Sequence, residues 1–183
     1  MNRFPKDHTI YHGSPVAFEA FSLDHVGQHA TDGGHGIYFT NSREEAIRYA
    51  TICGVGYLYE AEVIGTRNLN GDAKTLTRQE ITAIIAALDE ANDYLSNYGD
   101  IPYEPYETVL KRAVLAEDTG NKSDVDLIGS LINAGGPARL VLETVHRVTG
   151  YDCIHVTDGR REHYIALVPS AVRLIRCERL NAP

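Results

Sequence analysis

Basic residues are scarce in this chain of 183 residues: 17 lysines and arginines stand against 25 acidic residues, for a formal charge of −8 and an isoelectric point near 5.4. Coating duplex nucleic acid needs a basic surface, so that activity is excluded as the main one, and only a local patch such as "DGRREH" remains. Cysteine is scarce as well. Cys53, Cys153 and Cys177 lie far apart without CxxC spacing, which removes a zinc ribbon and a dithiol redox site and leaves buried, reduced thiols as the expectation. No apolar run approaches the roughly eighteen residues of a membrane span, and "MNRFPKDHTIYHG" lacks the apolar core of a signal peptide. The expectation is a soluble protein that stays in the cytoplasm and has no membrane partner. Nucleotide motifs are missing too. Gly54-Val55-Gly56 lacks the third glycine and the strand-turn-helix setting of a dinucleotide fingerprint, and neither a Walker loop nor GxSxG occurs.

With 43% hydrophobic residues the chain can bury a real core, and its length predicts one domain spanning residues 1–183. The first third reads as short strands and loops. "HTIYHG" is a candidate first strand. The long connection "SPVAFEAFSLDHVGQHATDGGHG" is expected to tack onto the body through Val16, Phe18 and Phe21. "GIYFT" is a second strand, followed by Ser42 and Glu45 in a capping-box spacing that opens a helix through Thr51. "GYLYEAEVIG" alternates as a half-buried strand does. The middle, about 71–149, is helical in pattern. Ile81, Ile84, Ile85, Leu88 and Leu95 repeat at helical spacing, a second helix is expected from Pro105 to Asp118, and two more in "VDLIGSLIN" and "PARLVLETVHRVTG", the last with Pro137 in its first turn. Strands then return in "DCIHVT", "EHYIALVP" and "AVRLIRCE", the first two joined across an Asp-Gly turn. Strands, helical block, strands is the order of an α+β fold.

His25, His29 and His35 share one loop, but Gly27, Gly33 and Gly34 break it, so it does not present a helical face of imidazoles; they read as solvent-facing, and no metal is expected. The stretch "GGHGIYFTNSREEAIRYA" is more informative. It passes from a glycine-rich loop through a strand into a capped helix and puts Tyr38 and Tyr49 eleven residues apart. Together with His12-Gly13-Ser14 upstream and Gly36-Ile37-Tyr38-Phe39, it resembles the ADP-ribosyltransferases of the diphtheria-toxin and poly(ADP-ribose) polymerase kind. Those carry a histidine-glycine pair before a small hydroxyl residue on the first strand, a "GIYF" strand, and a tyrosine eleven residues on. The C-terminal "GYDCIHV…EHYIALVPSAVRLI" is similar to the closing strands of phage- and mobile-element-associated members: a tyrosine-rich strand, a proline, then a short final strand. The resemblance covers residues 9–63 and 150–176.

The resemblance implies a split, mainly antiparallel β-sandwich with an inserted helical block, and a mono-ADP-ribosyltransferase that takes NAD as co-substrate. Its acceptor would be a macromolecule, protein by default with RNA or DNA as the alternative, and a cognate antitoxin or inhibitor would be a fitting partner for such an effector. The residue types suit that chemistry. Cleaving the glycosidic bond of NAD builds positive charge on the ribose, so the site must orient the dinucleotide and favour that charge. His12 can hydrogen-bond a ribose hydroxyl, Gly13 leaves room for a carboxamide at the backbone, and Tyr38 and Tyr49 offer faces to a cationic pyridinium, with Ser14 and Phe39 alongside. Two positions depart from the family. Ala46 stands where polymerase-like members have a serine. His163 stands where the third catalytic residue is a glutamate, with Glu162 one residue earlier and, on a regular strand, on the opposite face. Either His163 or Glu162 fills the third position. The competing expectation is a binding module of the same fold that has lost its acid.

Overall fold

A computed structural model of the chain describes residues 9–26, 36–92, 123–133 and 137–181. Its strands are β1 (Thr9–Ser14), β2 (Ile37–Thr40), β3 (Gly56–Val63), β4 (Asn68–Asn70), β5 (Cys153–Asp158), β6 (Arg161–Ala166) and β7 (Val172–Leu180). The described helices are α1 (Arg43–Thr51), α2 (Arg78–Asn92), α3 (Asp124–Asn133) and α4 (Ala138–Thr149), with a short 3₁₀ turn at Pro169–Ala171 before β7. The three helices α2, α3 and α4 all fall between β4 and β5, where the helical block was expected. Leu95, the helix expected over Pro105–Asp118, and His29 and His35 lie outside the described residues.

The seven strands form one sheet in the order β4-β5-β6-β2-β1-β3-β7, antiparallel except for the β4–β5 pair. The α+β reading holds, and the described strands make one sheet, not two. It is almost cut in two at one seam: β1 and β2 share a single register pair, Tyr11 with Thr40, whereas β1 and β3 pair along six residues. β4 had no strong signal because three residues with two asparagines carry little β pattern. The final strand is nine residues long rather than short, and ion pairs accompany it along β3. Arg173 and Arg176 pair with Glu62 and Glu60 across β3, and Arg43 of α1 pairs with Glu178 at 2.7 Å.

Local signals explain the helices. In α1 the Glu45 amide donates to the Ser42 hydroxyl at 3.3 Å, capping the first turn. α2 opens on a reciprocal box, in which Thr77 N–H donates to the Glu80 carboxylate at 2.8 Å and Glu80 N–H donates back to the Thr77 hydroxyl at 3.2 Å. Pro137 caps α4 from just outside its first turn, and Gly150 ends it at φ 70°, its N–H donating to the His146 carbonyl at 2.7 Å. Ile81, Ile84, Ile85 and Leu88 of α2 and Val141, Leu142 and Val145 of α4 are buried in one cluster with Ile154, Ile165 and Ala166 of the sheet. Each large side chain buried there contributes about 1.5–3 kcal/mol relative to exposure. Asp124 fastens the block to the preceding loop: its buried carboxylate accepts from the Thr75 hydroxyl, the Thr75 amide at 2.8 Å and the Leu76 amide.

Of the three cysteines only Cys153 is buried. Cys53 and Cys177 are exposed, against the expectation of three buried thiols. Cys53 lies in the turn after α1, and Cys177 on β7, an edge strand of the sheet.

Candidate functional site

The seam between β1 and β2 is where the sequence motifs meet. Backbone polar groups along a strand alternate in direction, so one bond assigns the rest. The Asn41 amide donates to the Glu162 carbonyl at 3.0 Å, which turns Asn41 toward β6; Thr40 therefore faces β1, Phe39 faces β6, and the Tyr38 carbonyl faces β1. On the other strand Tyr11 faces Thr40, so the N–H and C=O of Gly13 are also directed at the seam. There Gly13 has no register partner on β2. The imidazole of His12 reaches across the gap instead, its Nδ1–H donating to the Tyr38 carbonyl at 2.7 Å. A carbonyl only accepts, so the proton sits on Nδ1 and Nε2 keeps a lone pair. Four rings wall the imidazole in: Phe18, Phe21, Phe39 and Tyr59 have centroids 5.7–6.1 Å from it. That desolvation holds the His12 pKa below its usual value, and the bond to Tyr38 only partly offsets it, so the ring is neutral near pH 7.

The two faces of the sheet at the seam differ. On one side Gly13 lies directly beneath α1. A Cβ on Gly13 would stand 1.9 Å from the Ala46 carbonyl oxygen, and one on Gly56 would stand 2.1 Å from that of Ala50. The missing Cβ of Gly13 thus seats a helix, a role distinct from the expected room for a ligand, while its backbone remains directed at the seam. Ala46, 1% exposed, belongs to the same contact, which explains why a small apolar residue stands there. Strand alternation and register put Tyr38, Thr40, Ile165 and His163 on this α1 face. Tyr38 is half-buried, and Tyr49 on α1 is 55% exposed, its ring available at the surface.

The opposite face carries a band of rings that individual motifs did not signal. His155, Tyr164, Phe39, His12 and Tyr59 stand in cross-strand succession on β5, β6, β2, β1 and β3. His155 stacks on Tyr164 at 5.0 Å and Phe39 meets Phe21 at 4.9 Å. Phe39 is 2% exposed, so it is a core residue with no surface for a cofactor, contrary to expectation. Ser14 is buried as well, its hydroxyl closing a turn with Val16 at 2.8 Å. Glu162 shares this face, because β6 runs in unbroken register with both neighbours and has no bulge to turn it. Its carboxylate accepts from the Tyr164 hydroxyl and lies 3.6 Å from His155 Nε2. Burial, with Glu162 as the second cause, raises the Tyr164 pKa and keeps that phenol protonated. Of the two candidates for the third position, then, His163 shares the face of Tyr38 and Glu162 does not.

A further carboxylate belongs to the α1 face. Glu45, 5% exposed, accepts from the Thr40 hydroxyl at 2.6 Å and from Arg161 at 3.3 Å. In the sequence it signals only a helix cap; the Thr40–His163 register puts it beside the same strand pair as His163. It also ties the start of α1 to β2 and β6, while Ala46 and Ala50 seat the rest of the helix on β1 and β3, so α1 clamps the two parts of the sheet across the seam. Among the described residues no group of three or more histidine, cysteine or acidic side chains could hold a metal ion, and no described helix is long and apolar enough to cross a membrane. No protein-family model matches the chain, and no curated protein matches it.

Proposed function

We propose that this chain is a NAD-dependent mono-ADP-ribosyltransferase, which releases nicotinamide and passes ADP-ribose to a macromolecular acceptor in the cytoplasm. The observation that carries the reading is the open seam, where the Gly13 backbone has no β2 partner beside the neutral, Nδ1-protonated His12. An N–H and a C=O on one residue that has no register partner on β2 match a carboxamide, which needs one acceptor and one donor. In this reading the seam is the split of an ADP-ribosyltransferase-like sandwich. The nicotinamide lies along the Gly13 edge between Tyr38 and Tyr49, whose faces favour a cationic ring, and His12 Nε2 accepts from a ribose hydroxyl.

The chemistry is dissociative. The bond from ribose C1′ to the pyridinium nitrogen breaks, nicotinamide leaves neutral with the bonding electrons, and a nucleophilic oxygen or nitrogen of the acceptor attacks C1′ and gives up its proton. His163 occupies the third position and can hydrogen-bond the ribose; being no carboxylate, it does little for the developing charge. That weakness favours transfer of a single unit. Protein is the default acceptor, RNA or DNA the alternative, and a dedicated inhibitor is a natural partner.

A second reading, a module that binds NAD or a partner without turnover, is favoured by one observation: the register that turns Glu162 to the far face. Nicotinamide release from NAD by the purified protein separates the two. The transferase reading expects release that falls about tenfold or more, ~1.4 kcal/mol of barrier or above, in Tyr38→Ala and in Tyr49→Ala, and that survives Glu162→Gln. Binding without release establishes the module. A protein that binds neither NAD nor nicotinamide removes the transferase and leaves the module only as a binder of a partner.

A further inference from the structure

The proposed reaction leaves one need unmet. Positive charge grows on the ribose as nicotinamide departs, and His163, the β6 residue on the face of Tyr38, brings no negative charge to meet it. A carboxylate close to that position comes from the helix. Thr40 of β2 is the register partner of His163, and Arg161 is its neighbour two residues back on the same face of β6. Glu45 bonds both, its carboxylate accepting from the Thr40 hydroxyl at 2.6 Å and from Arg161 at 3.3 Å. An acid tied to two flanking residues of His163 stands beside that imidazole. The helix cap leaves it there. In the reciprocal box of α2 the Glu80 carboxylate turns back to accept from the Thr77 amide at 2.8 Å, as a capping glutamate does. In α1 the corresponding amide, that of Ser42, donates to the Thr40 hydroxyl at 3.1 Å instead, so the Glu45 carboxylate is spared for the sheet.

The two members of the ion pair differ in their surroundings. The Glu45 side chain is 6% exposed and that of Arg161 50%. A buried carboxylate acts through protein, where charges interact strongly, whereas a half-exposed guanidinium is screened by water and salt. The pair therefore leaves a net negative field on the α1 face. Its source is held in place, because Thr40 is itself buried and Glu45 lies in the first turn of a helix pressed onto Gly13. A fixed charge of that kind costs no reorganisation when the cation forms. We infer that Glu45 supplies from α1 the negative charge that β6 lacks, favouring the ribose cation from beside His163, and that Arg161 restrains it. This rests on the NAD reading and adds to it a positioning residue that works through its field without touching the substrate.

The test is steady-state nicotinamide release from NAD by the wild type, Glu45→Gln, Arg161→Gln and the double variant. Gln keeps the size of Glu45 and an oxygen for the Thr40 hydroxyl, so Glu45→Gln removes the charge and little else. Its kcat is expected to fall about tenfold or more with KM for NAD within about twofold, the pattern of an interaction made only in the transition state. Arg161→Gln breaks the same ion pair from its other side and is expected to raise kcat about twofold, with the double variant matching Glu45→Gln because Arg161 acts only through the charge it restrains. Equal losses in the two single variants assign the pair to structure alone and overturn the inference. Where Glu45→Gln does not fold, Arg161→Gln decides: faster release upholds the inference, and unchanged or slower release overturns it. Wild-type release that persists undiminished in Glu45→Gln removes the inference and leaves the transferase reading standing. A wild type that releases no nicotinamide removes both.

Discussion

The two sides of β1 are covered by opposite means. On one, α1 is pressed onto Gly13 and Gly56 so closely that no Cβ fits, its start is capped by Ser42, and Glu45 is held by Thr40 and Arg161. On the other, a largely exposed segment is tied down by a tyrosine hydroxyl, two phenylalanine rings and a surface ion pair. Backbone-to-backbone contact leaves no intermediate position, so the α1 side has one packing. The other side is held by side chains, with Phe18 and Phe21 on the ring band and Leu23 buried in the core. The same strand is thus covered by backbone contact on one face and by side-chain contact on the other.

The largest effect is expected where that rigidity is concentrated. Gly13→Ala drives a Cβ into the Ala46 carbonyl, and because the obstacle is backbone the helix itself must lift; a loss of about 1–3 kcal/mol is expected in a denaturant titration. A stability equal to wild type would show that α1 is not seated there. Next comes Glu45→Ala, which leaves Thr40 and Arg161 without their shared acceptor. A cost of roughly 1–2 kcal/mol is expected, smaller than a charge count suggests because Arg161 is half exposed. If α1 is the clamp across the seam, this change also speeds hydrogen exchange in β2, and unaltered exchange there would separate the cap from the clamp.

Much of the local structure was legible in the sequence, and little of what brings distant strands together. The Ser42-to-Glu45 spacing, the alternation of β3, the helical repeat from Ile81 to Leu88 and the Asp-Gly turn are local signals, decided within one element. The aromatic band is not local: His12, Phe39, Tyr59, Tyr164 and His155 come from five strands, and only the registers align them. The same holds for Gly13, whose reason is a helix more than thirty residues further on. Glu162 and His163 illustrate the boundary. Strand periodicity alone says they face opposite ways, but which of them faces Tyr38 depends on pairing with β2.

The smallest expected effect concerns the histidine ring that reaches across the seam. Burial depresses the His12 pKa in the folded chain below the 6.5 of an exposed imidazole, so between those two values the unfolded chain binds the extra proton. Stability therefore falls as pH drops through about 6.5, levels off below the folded pKa, and is fully present above the unfolded one. The groups around the ring do not titrate in that window: Phe18, Phe21 and Phe39 carry no proton, and Tyr59 is pushed up to about 12, first by burial. Protonation would also place a charge amid four rings while Nδ1 stays engaged with the Tyr38 carbonyl, so Nε2 turns from acceptor to donor. His12→Gln should flatten the wild-type slope between pH 5 and 7 in thermal unfolding followed at several pH values. An identical slope in both proteins would assign the acid sensitivity to the remaining histidines and would mean that the ring is better solvated than its aromatic walls imply.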